Sequence, residues 1–168
     1  RAGDPHLAAA RAALLLRGLD EAILVDREGY VIEGARSSFV FQTAGGELVT
    51  PDPARGGVSS IAREIVCEAI PEIRRKSVSI SALVRARELV AVNAVRGARL
   101  IRTLDGQPVG DPSTSALVCE VARALAAVSA AEMEPKMELP SRAYLGVMRA
   151  YATAGDVSGV STLATRLE

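Results

Sequence analysis

The sequence predicts a mixed α/β domain, and three of its features support this fold class. Short apolar runs separated by turn residues predict β-strands early in the chain, and two further runs follow near its middle. Residues 60–70 and 113–128 repeat apolar positions at the three-and-four spacing of a helix with one buried face. The 168 residues are 49% hydrophobic with zero formal net charge, which is typical of a globular chain and argues against a general nucleic-acid binder.

The elements follow one another in a simple order. An alanine- and leucine-rich helix over 7–16 is ended by Gly18. The helix over 60–70 carries charged residues (Arg63, Glu64 and Glu68) on the face opposite its apolar stripe, and Pro71 ends it. Strands are predicted over 22–26, 30–33, 37–42, 47–50, 89–95 and 98–104, with weaker signals for a strand at 78–80 and a helical turn at 82–86.

The composition changes at residues 131–140, which predict a charged linker between a domain over 1–130 and a tail over 141–168. Within the tail, helical patterns over 143–154 and 157–167 predict a helical hairpin. The stretch YLGVMRAYATAGDVSGVSTL resembles one pentatricopeptide repeat, and such a repeat needs neighbours to bury its apolar face. An ordinary hairpin packed on the domain fits this stretch equally well.

Two features in the first half of the chain have chemical meaning. Glu33 follows a predicted strand, and the glycines Gly56 and Gly57 lead into the helix that begins near Ser60. Backbone N–H groups at a helix start form an anion site, so residues 59–62 are a candidate phosphate site. A nearby buried carboxylate suits a cationic ring nitrogen, and the two together match the ends of pyridoxal 5'-phosphate. On the residues alone this is one interpretation among several, because glycine-to-helix turns are common in α/β proteins. Glu33 also fits a solvated carboxylate at a strand end.

Five segments make the interpretation more specific: DEAILVD, GYVIEGARSSFVF, ELVTP, GGVSSIAR and VNAVRGARLI. In this order they resemble the C-terminal half of the class IV aminotransferases, the pyridoxal-phosphate family of fold type IV, over roughly residues 7–125. That family includes branched-chain aminotransferases, D-amino-acid aminotransferases and aminodeoxychorismate lyases. The resemblance implies one curved mixed sheet or pseudo-barrel formed by residues 22–50 and 89–104, with helices 60–70 and 113–128 packed on it.

The resemblance also implies roles for individual residues around the cofactor. Glu33 matches the carboxylate that pairs with the protonated pyridine nitrogen, and Val58 matches the apolar residue on the ring face. Ile61 and Ala62 match positions whose main-chain N–H groups hold the phosphate. Ser60 replaces a glycine usual in the family, and serine is a good residue at a helix start.

A second group of implied site residues lies further along the chain. Asn93 and Ala94 match a second phosphate-binding turn, although Asn93 also fits a satisfied amide at a strand end. Arg96 is a candidate partner for a substrate carboxylate, whereas Arg99 is expected at the surface. Ser38 occupies a substrate-positioning site where the family usually has asparagine.

The lysine that the chemistry requires has no match in this chain. The two lysines, Lys76 and Lys136, lie outside the matching segments, and Lys76 is expected in a solvated charged turn. The family's lysine precedes the helix over 7–16, at or before Arg1, so no catalytic residue is predicted here. The chain, which begins with Arg, is therefore interpreted as a fragment that is inactive alone.

Two functions follow, and a third possibility is kept. The first is the cofactor-binding half of an aminotransferase or aminodeoxychorismate lyase, acting as a homodimer on a small amino-acid-like molecule. VNAVRGAR favours the lyase, an enzyme of folate biosynthesis. The second is an inactive aminotransferase-like scaffold fused to an RNA-binding repeat array. The third is an unrelated α/β domain, in which Glu33 and Ile61 would lie far apart.

The sequence predicts no membrane span and no metal site. No apolar run is long enough to cross a bilayer, and the cysteines and the histidine lack metal-ligand spacing. A cytoplasmic or organellar location, rather than secretion, is the expectation, and its organellar alternative is based on the repeat-like tail alone.

Overall fold

The computed structural model describes residues 5–111, 113, 115–132 and 162–167. A 3-10 turn at Pro53–Arg55 precedes the second helix. The helices and strands are α1 (Pro5–Arg17), β1 (Glu21–Val25), β2 (Val31–Gly34), β3 (Ser38–Gln42), β4 (Leu48–Pro51), α2 (Ile61–Ala69), β5 (Arg74–Lys76), α3 (Ile80–Val84), β6 (Glu88–Asn93), β7 (Gly97–Leu104), β8 (Gln107–Pro108), α4 (Ala116–Glu132) and β9 (Thr162–Leu167).

The strands of the described residues form one mixed sheet. Its order is β2-β1-β9-β7-β6-β3-β4-β5, and β8 pairs with β7. The β4–β5 pair is parallel, and the other pairs are antiparallel. The predicted mixed α/β fold is therefore confirmed.

The alternation of side chains along β3 and β6 divides the core into two layers. On one face, Phe39 and Phe41 pack with Leu89 and Ala91 in a cluster that also receives α3. On the other face, the valines of β3 and β6 pack against α2 and α4 in a cluster that contains Val40, Val90, Val92, Ala62, Val66, Leu117 and Val121. This second cluster places the start of α2 beside the end of β6.

The tail differs from the prediction where the structure describes it. Residues Thr162–Leu167 form strand β9, which lies between β1 and β7 and pairs antiparallel with both. The predicted helix over 157–167 is wrong for these residues, because the two neighbouring strands offer backbone partners along both edges of the segment. The predicted helix over 143–154 lies outside the described residues.

Two shorter elements also differ from the prediction. Residues Arg74–Lys76 form the exposed strand β5 rather than a turn, and their charged side chains carry no apolar alternation by which a strand could be recognised. The strand predicted at 78–80 is reduced to a single antiparallel bridge between Ser79 and Tyr30. It goes no further because the Ser79 hydroxyl accepts the N–H of Ala82 and caps α3.

Candidate functional site

The carboxylate of Glu33 lies inside the protein. All four residues of β2 are buried, and Glu33 is 4% exposed. A buried carboxylate needs hydrogen-bond donors, and Glu33 Oε2 accepts the main-chain N–H of Val58 at 2.9 Å. A strand residue is thus joined to the loop that leads into α2.

The N-terminus of α2 presents donors beside this contact. The Ser60 hydroxyl accepts the N–H of Arg63 at 3.3 Å, and the Ser60 carbonyl accepts the N–H of Glu64 at 3.0 Å. The N–H groups of Ile61 and Ala62 have no acceptor inside the helix, because the first turn lacks a preceding carbonyl. These two groups and the helix dipole make a positive end that suits an anion.

Arg63 fixes the same loop from the other side. Its guanidinium is buried, although the sequence pattern placed it on the charged face of the helix. Nη2 donates to the Val58 carbonyl at 3.0 Å, while the N–H of Val58 donates to Glu33. Val58 is therefore held through both its main-chain polar groups. Helical periodicity could not predict the contact between Arg63 and the Val58 carbonyl, because it depends on how the loop before α2 folds back.

A surface cluster anchors the earlier part of this loop. The Arg55 guanidinium lies 3.9 Å from the centroid of the Tyr30 ring, and it pairs with Asp26 and with Glu28 in the β1–β2 turn. Desolvation acts to raise the pKa of Asp26, but hydrogen bonds from the Tyr30 N–H, from Arg55 and from the Glu28 N–H outweigh it and lower that pKa. The cluster ties the segment before Gly56 to the hairpin that carries Glu33.

The β6–β7 turn contains the other predicted phosphate residues. Asn93 Oδ1 accepts the N–H groups of Val95 (2.8 Å) and Arg96 (3.0 Å), and its Nδ2 donates to the carbonyl of Arg36. The side chain of Asn93 therefore shapes its own turn and binds it to the β2–β3 connection. Ala94 and Arg96 are exposed on this turn.

Three other residues that the sequence singled out lie on strands of the sheet. Ser38 is buried at the start of β3, opposite Val92, and so lies next to the Asn93 turn. Arg99 is half-buried on β7. Lys76 is exposed on β5, where its Nζ pairs with Glu47 Oε1 at 2.6 Å.

The structure brings the first group of predicted residues together. Glu33 contacts Val58, which lies three positions before Ile61, so the separation expected for an unrelated domain is not observed. Ala62 and Val92 share one apolar cluster, so the start of α2 and the end of β6 belong to the same layer of the core.

A buried carboxylate beside a helix N-terminus, on a mixed α/β sheet, defines a candidate site for a ligand with one cationic and one anionic end. The chain belongs to the amino-transferase class IV family, whose model matches residues 5–104. Class IV aminotransferases bind pyridoxal 5'-phosphate. The family predicted from the five sequence segments is thus confirmed.

Individual relatives agree with this assignment. The probable branched-chain-amino-acid aminotransferase of Aquifex aeolicus is 28% identical over 109 residues, covering 62% of this chain and 35% of the relative. The fold IV transaminase of Curtobacterium pusillum has a TM-score of 0.64 at 27% identity, covering 75% of this chain and 44% of its own. The branched-chain amino acid aminotransferase of Escherichia coli shares the fold, with a TM-score of 0.67 at 22% identity, covering 79% of this chain and 46% of its own.

The chain spans less than half the length of each of these relatives. None of these matches supports the pentatricopeptide resemblance of the tail, which stays a prediction. Within the part of the chain that the structure describes, no helix is long and apolar enough to cross a membrane. The same residues contain no group of three or more His, Cys, Asp or Glu side chains arranged to hold a metal ion.

Proposed function

We propose that this chain is the cofactor-binding part of a pyridoxal-phosphate-dependent aminotransferase that acts on a small amino acid. The observation that carries the proposal is the contact between Glu33 and Val58. It puts a buried carboxylate and the N-terminus of α2 beside each other. The residues fit the cofactor, because its protonated ring nitrogen requires an anion and its phosphate requires a cluster of N–H donors.

The bound cofactor supplies an electron-withdrawing ring that stabilises negative charge on a substrate carbon. In this proposal Glu33 holds the proton at the ring nitrogen, and burial strengthens that interaction because little water screens it. The Val58 N–H orients the carboxylate, and the Val58 side chain packs on the ring face. The N–H groups of Ile61 and Ala62 hold the phosphate. Asn93 and Ala94 are proposed to support the phosphate end from the β6–β7 turn.

The substrate and the assembly are part of the same proposal. The Aquifex aeolicus relative favours a branched-chain amino acid as the first substrate to test. We assign Arg96 to the substrate carboxylate and Ser38 to substrate positioning. The Schiff-base lysine is proposed to lie ahead of α1 in a longer protein, as the family resemblance implies. Lys76 is exposed and paired with Glu47, and Lys136 lies outside the matching segments. A homodimer is the proposed assembly.

The aminodeoxychorismate lyase is a second candidate, based on the Asn93-Ala94 turn within VNAVRGAR. The two activities are distinguished on the full-length protein by their products. A transaminase converts a 2-oxo acid into an amino acid when a branched-chain donor is present, whereas the lyase releases pyruvate from aminodeoxychorismate.

The test of the cofactor site is a titration of the 168-residue chain with pyridoxal 5'-phosphate, followed by visible absorbance and fluorescence. We expect saturable binding that is weakened by about tenfold or more in Glu33→Gln, because a charge-assisted contact of about 1.5–3 kcal/mol is lost. Glu68→Ala, which removes an exposed carboxylate from α2, is the matched control and should bind normally.

Two results would contradict the proposal. One is the absence of saturable binding by a chain that circular dichroism shows to be folded, and the other is equal affinity in Glu33→Gln and the control. Borohydride reduction should leave Lys76 unmodified. A reduced adduct on Lys76 would mean that this lysine, rather than one outside the matched segments, reacts with the cofactor.

A further inference from the structure

Strand β9 occupies a position in the sheet that the residues of the family match leave open. It lies between β1 and β7 and pairs antiparallel with both, so β1 and β7 run parallel to each other. Both of these strands lie within residues 5–104, which the family model matches, whereas Thr162–Leu167 lies outside that range. Without β9, the facing edges of β1 and β7 would be roughly 10 Å apart, and the backbone groups along them would lose their partners in the sheet. The position is therefore a site for one extended segment.

Helix α1 indicates which other segment fits this position. Ala10 and Leu14 pack α1 on β1 in a cluster with Ala22 and Leu24, and only residues 18–20 connect the helix to the strand. A helix that packs on a strand after so short a connection runs antiparallel to that strand. A strand ahead of α1 would then run parallel to β1, as the two strands of a βαβ unit do.

The lengths and the register agree with this arrangement. The 13 residues of α1 span roughly 20 Å and the five of β1 roughly 17 Å, so α1 begins near the end of the sheet at which β1 ends. One edge of β1 is held by β2, and the other is taken by β9. A strand ahead of α1 that pairs with β1 therefore has to take the position of β9. Its last residues would be level with Glu33, because Leu24 pairs with Glu33 on one side and with Thr162 on the other.

We propose that the position between β1 and β7 is an exchangeable strand site, which β9 fills in this chain and the segment ahead of α1 fills in the longer protein. The two segments exclude each other, because the site has one row of backbone partners on each side. That the longer protein has a segment ahead of α1 rests on the proposed function. Such a segment is joined directly to α1, whereas β9 is joined to α4 through residues 133–161, and the shorter connection gives the higher effective concentration. Strand β9 thus covers two strand edges until that segment occupies the site.

The exchange of backbone amide hydrogens, measured by mass spectrometry, tests the proposal on the 168-residue chain and on the full-length protein. In the chain, the amides of Thr162–Leu167 should exchange at least about tenfold more slowly than those of an unstructured peptide, because they pair with two strands. In the full-length protein the same amides should lose this protection, while those of Glu21–Val25 stay protected in both. Protection of β9 in both proteins, or in neither, would overturn the proposal.

A variant of the chain tests whether the site accepts a strand that is not covalently attached. Ala164→Pro removes a backbone N–H at a residue that pairs with Ala22, so β9 should leave the site. A fluorescent peptide of residues 161–168 should then bind saturably, and at least about tenfold more tightly than to the unmodified chain, whose own β9 competes. The matched control is the same peptide with proline at the position of Ala164, which should bind to neither chain.

Two results of the peptide experiment would contradict the proposal. One is equal affinity of the peptide for both chains, and the other is no binding to an Ala164→Pro chain that circular dichroism shows to be folded. If Ala164→Pro does not fold, the comparison of hydrogen exchange between the chain and the full-length protein decides the question.

Failure of the proposed function would be recognised separately. If the chain does not bind the cofactor, β9 will still lose its protection in the full-length protein, while the titration with pyridoxal 5'-phosphate shows no dependence on Glu33. If only the strand exchange is wrong, binding of pyridoxal 5'-phosphate will depend on Glu33, and β9 will stay protected in the full-length protein.

Discussion

Replacing Glu88 by alanine should destabilise the domain more than most single substitutions. Glu88 is 2% exposed at the start of β6, and its two carboxylate oxygens accept the N–H groups of Leu117 at 3.1 Å and Val118 at 2.7 Å. These N–H groups belong to the first turn of α4, so the carboxylate of a strand caps a helix 29 residues away. Alanine would leave a buried donor, the Leu117 N–H, and a partly buried one, the Val118 N–H, without this acceptor.

The magnitude follows from these two contacts. Each hydrogen bond to a charged acceptor contributes about 1.5–3 kcal/mol, and favourable interaction with the helix dipole adds to it. We expect Glu88→Ala to lower the free energy of unfolding by about 3–5 kcal/mol, the range for removing one member of a buried charged contact. The free energy of unfolding of a typical domain is only about 5–15 kcal/mol, so the variant should be marginally stable.

Urea unfolding followed by circular dichroism measures this effect. The midpoint should fall while the slope stays similar, because the surface exposed on unfolding changes little. Glu88→Gln keeps one acceptor oxygen, so its free energy of unfolding should fall by about half as much. Glu120→Ala removes an exposed carboxylate from the same helix and should change stability by less than about 0.5 kcal/mol. A loss below about 1 kcal/mol in Glu88→Ala would refute the capping argument.

Two further predictions concern the β1–β2 region. Burial raises the pKa of Glu21 against hydrogen bonds that lower it, so the native state binds its proton more tightly than the unfolded state. Stability should therefore fall as the pH rises from the usual carboxyl range through the raised pKa, and urea midpoints of Glu21→Gln should not show that fall. In Gly34→Ala a Cβ would lie 2.8 Å from a backbone oxygen and 2.9 Å from a phenylalanine ring carbon, so we expect a loss of about 1–3 kcal/mol. Gly45→Ala, in an open loop, should cost less than about 0.5 kcal/mol by the same assay, and equal losses would argue against overpacking.

Much of the fold could be predicted because the relevant signals are local. The three-and-four spacing of apolar residues predicted α2 to within one residue at each end, since one helix face packs on the sheet. The apolar run over 89–95 predicted β6, which forms over Glu88–Asn93. The glycine at position 18, with φ of 61°, ends α1 as expected. The short charged strand β5 and the strand β9 escaped prediction, because their pairing partners and not their own patterns determine their conformation.

The candidate site divides in the same way. Its members Glu33, Val58, Ile61 and Ala62 were identified from the chain, because they lie in contiguous segments that resemble those of one family. Arg63 was assigned to a charged face and is instead buried, since the loop before α2 folds back over it. For Asn93 the sequence predicted either a role towards a ligand or a satisfied amide at a strand end. The structure shows the amide bonded to its own turn and to Arg36, and the role towards a ligand stays a proposal.

The sequence by itself determined the family, the mixed α/β class and the helix whose N-terminus faces the candidate site, because these depend on residue type and on spacing within short segments. Only the tertiary structure decided which polar groups meet. The contact from Glu33 to Val58 spans 25 residues, and that from Glu88 to α4 spans about 30. Such contacts form when separate segments pack on one sheet. A charged group that is buried there loses its hydrogen bonds to water, and a polar group of another segment replaces them.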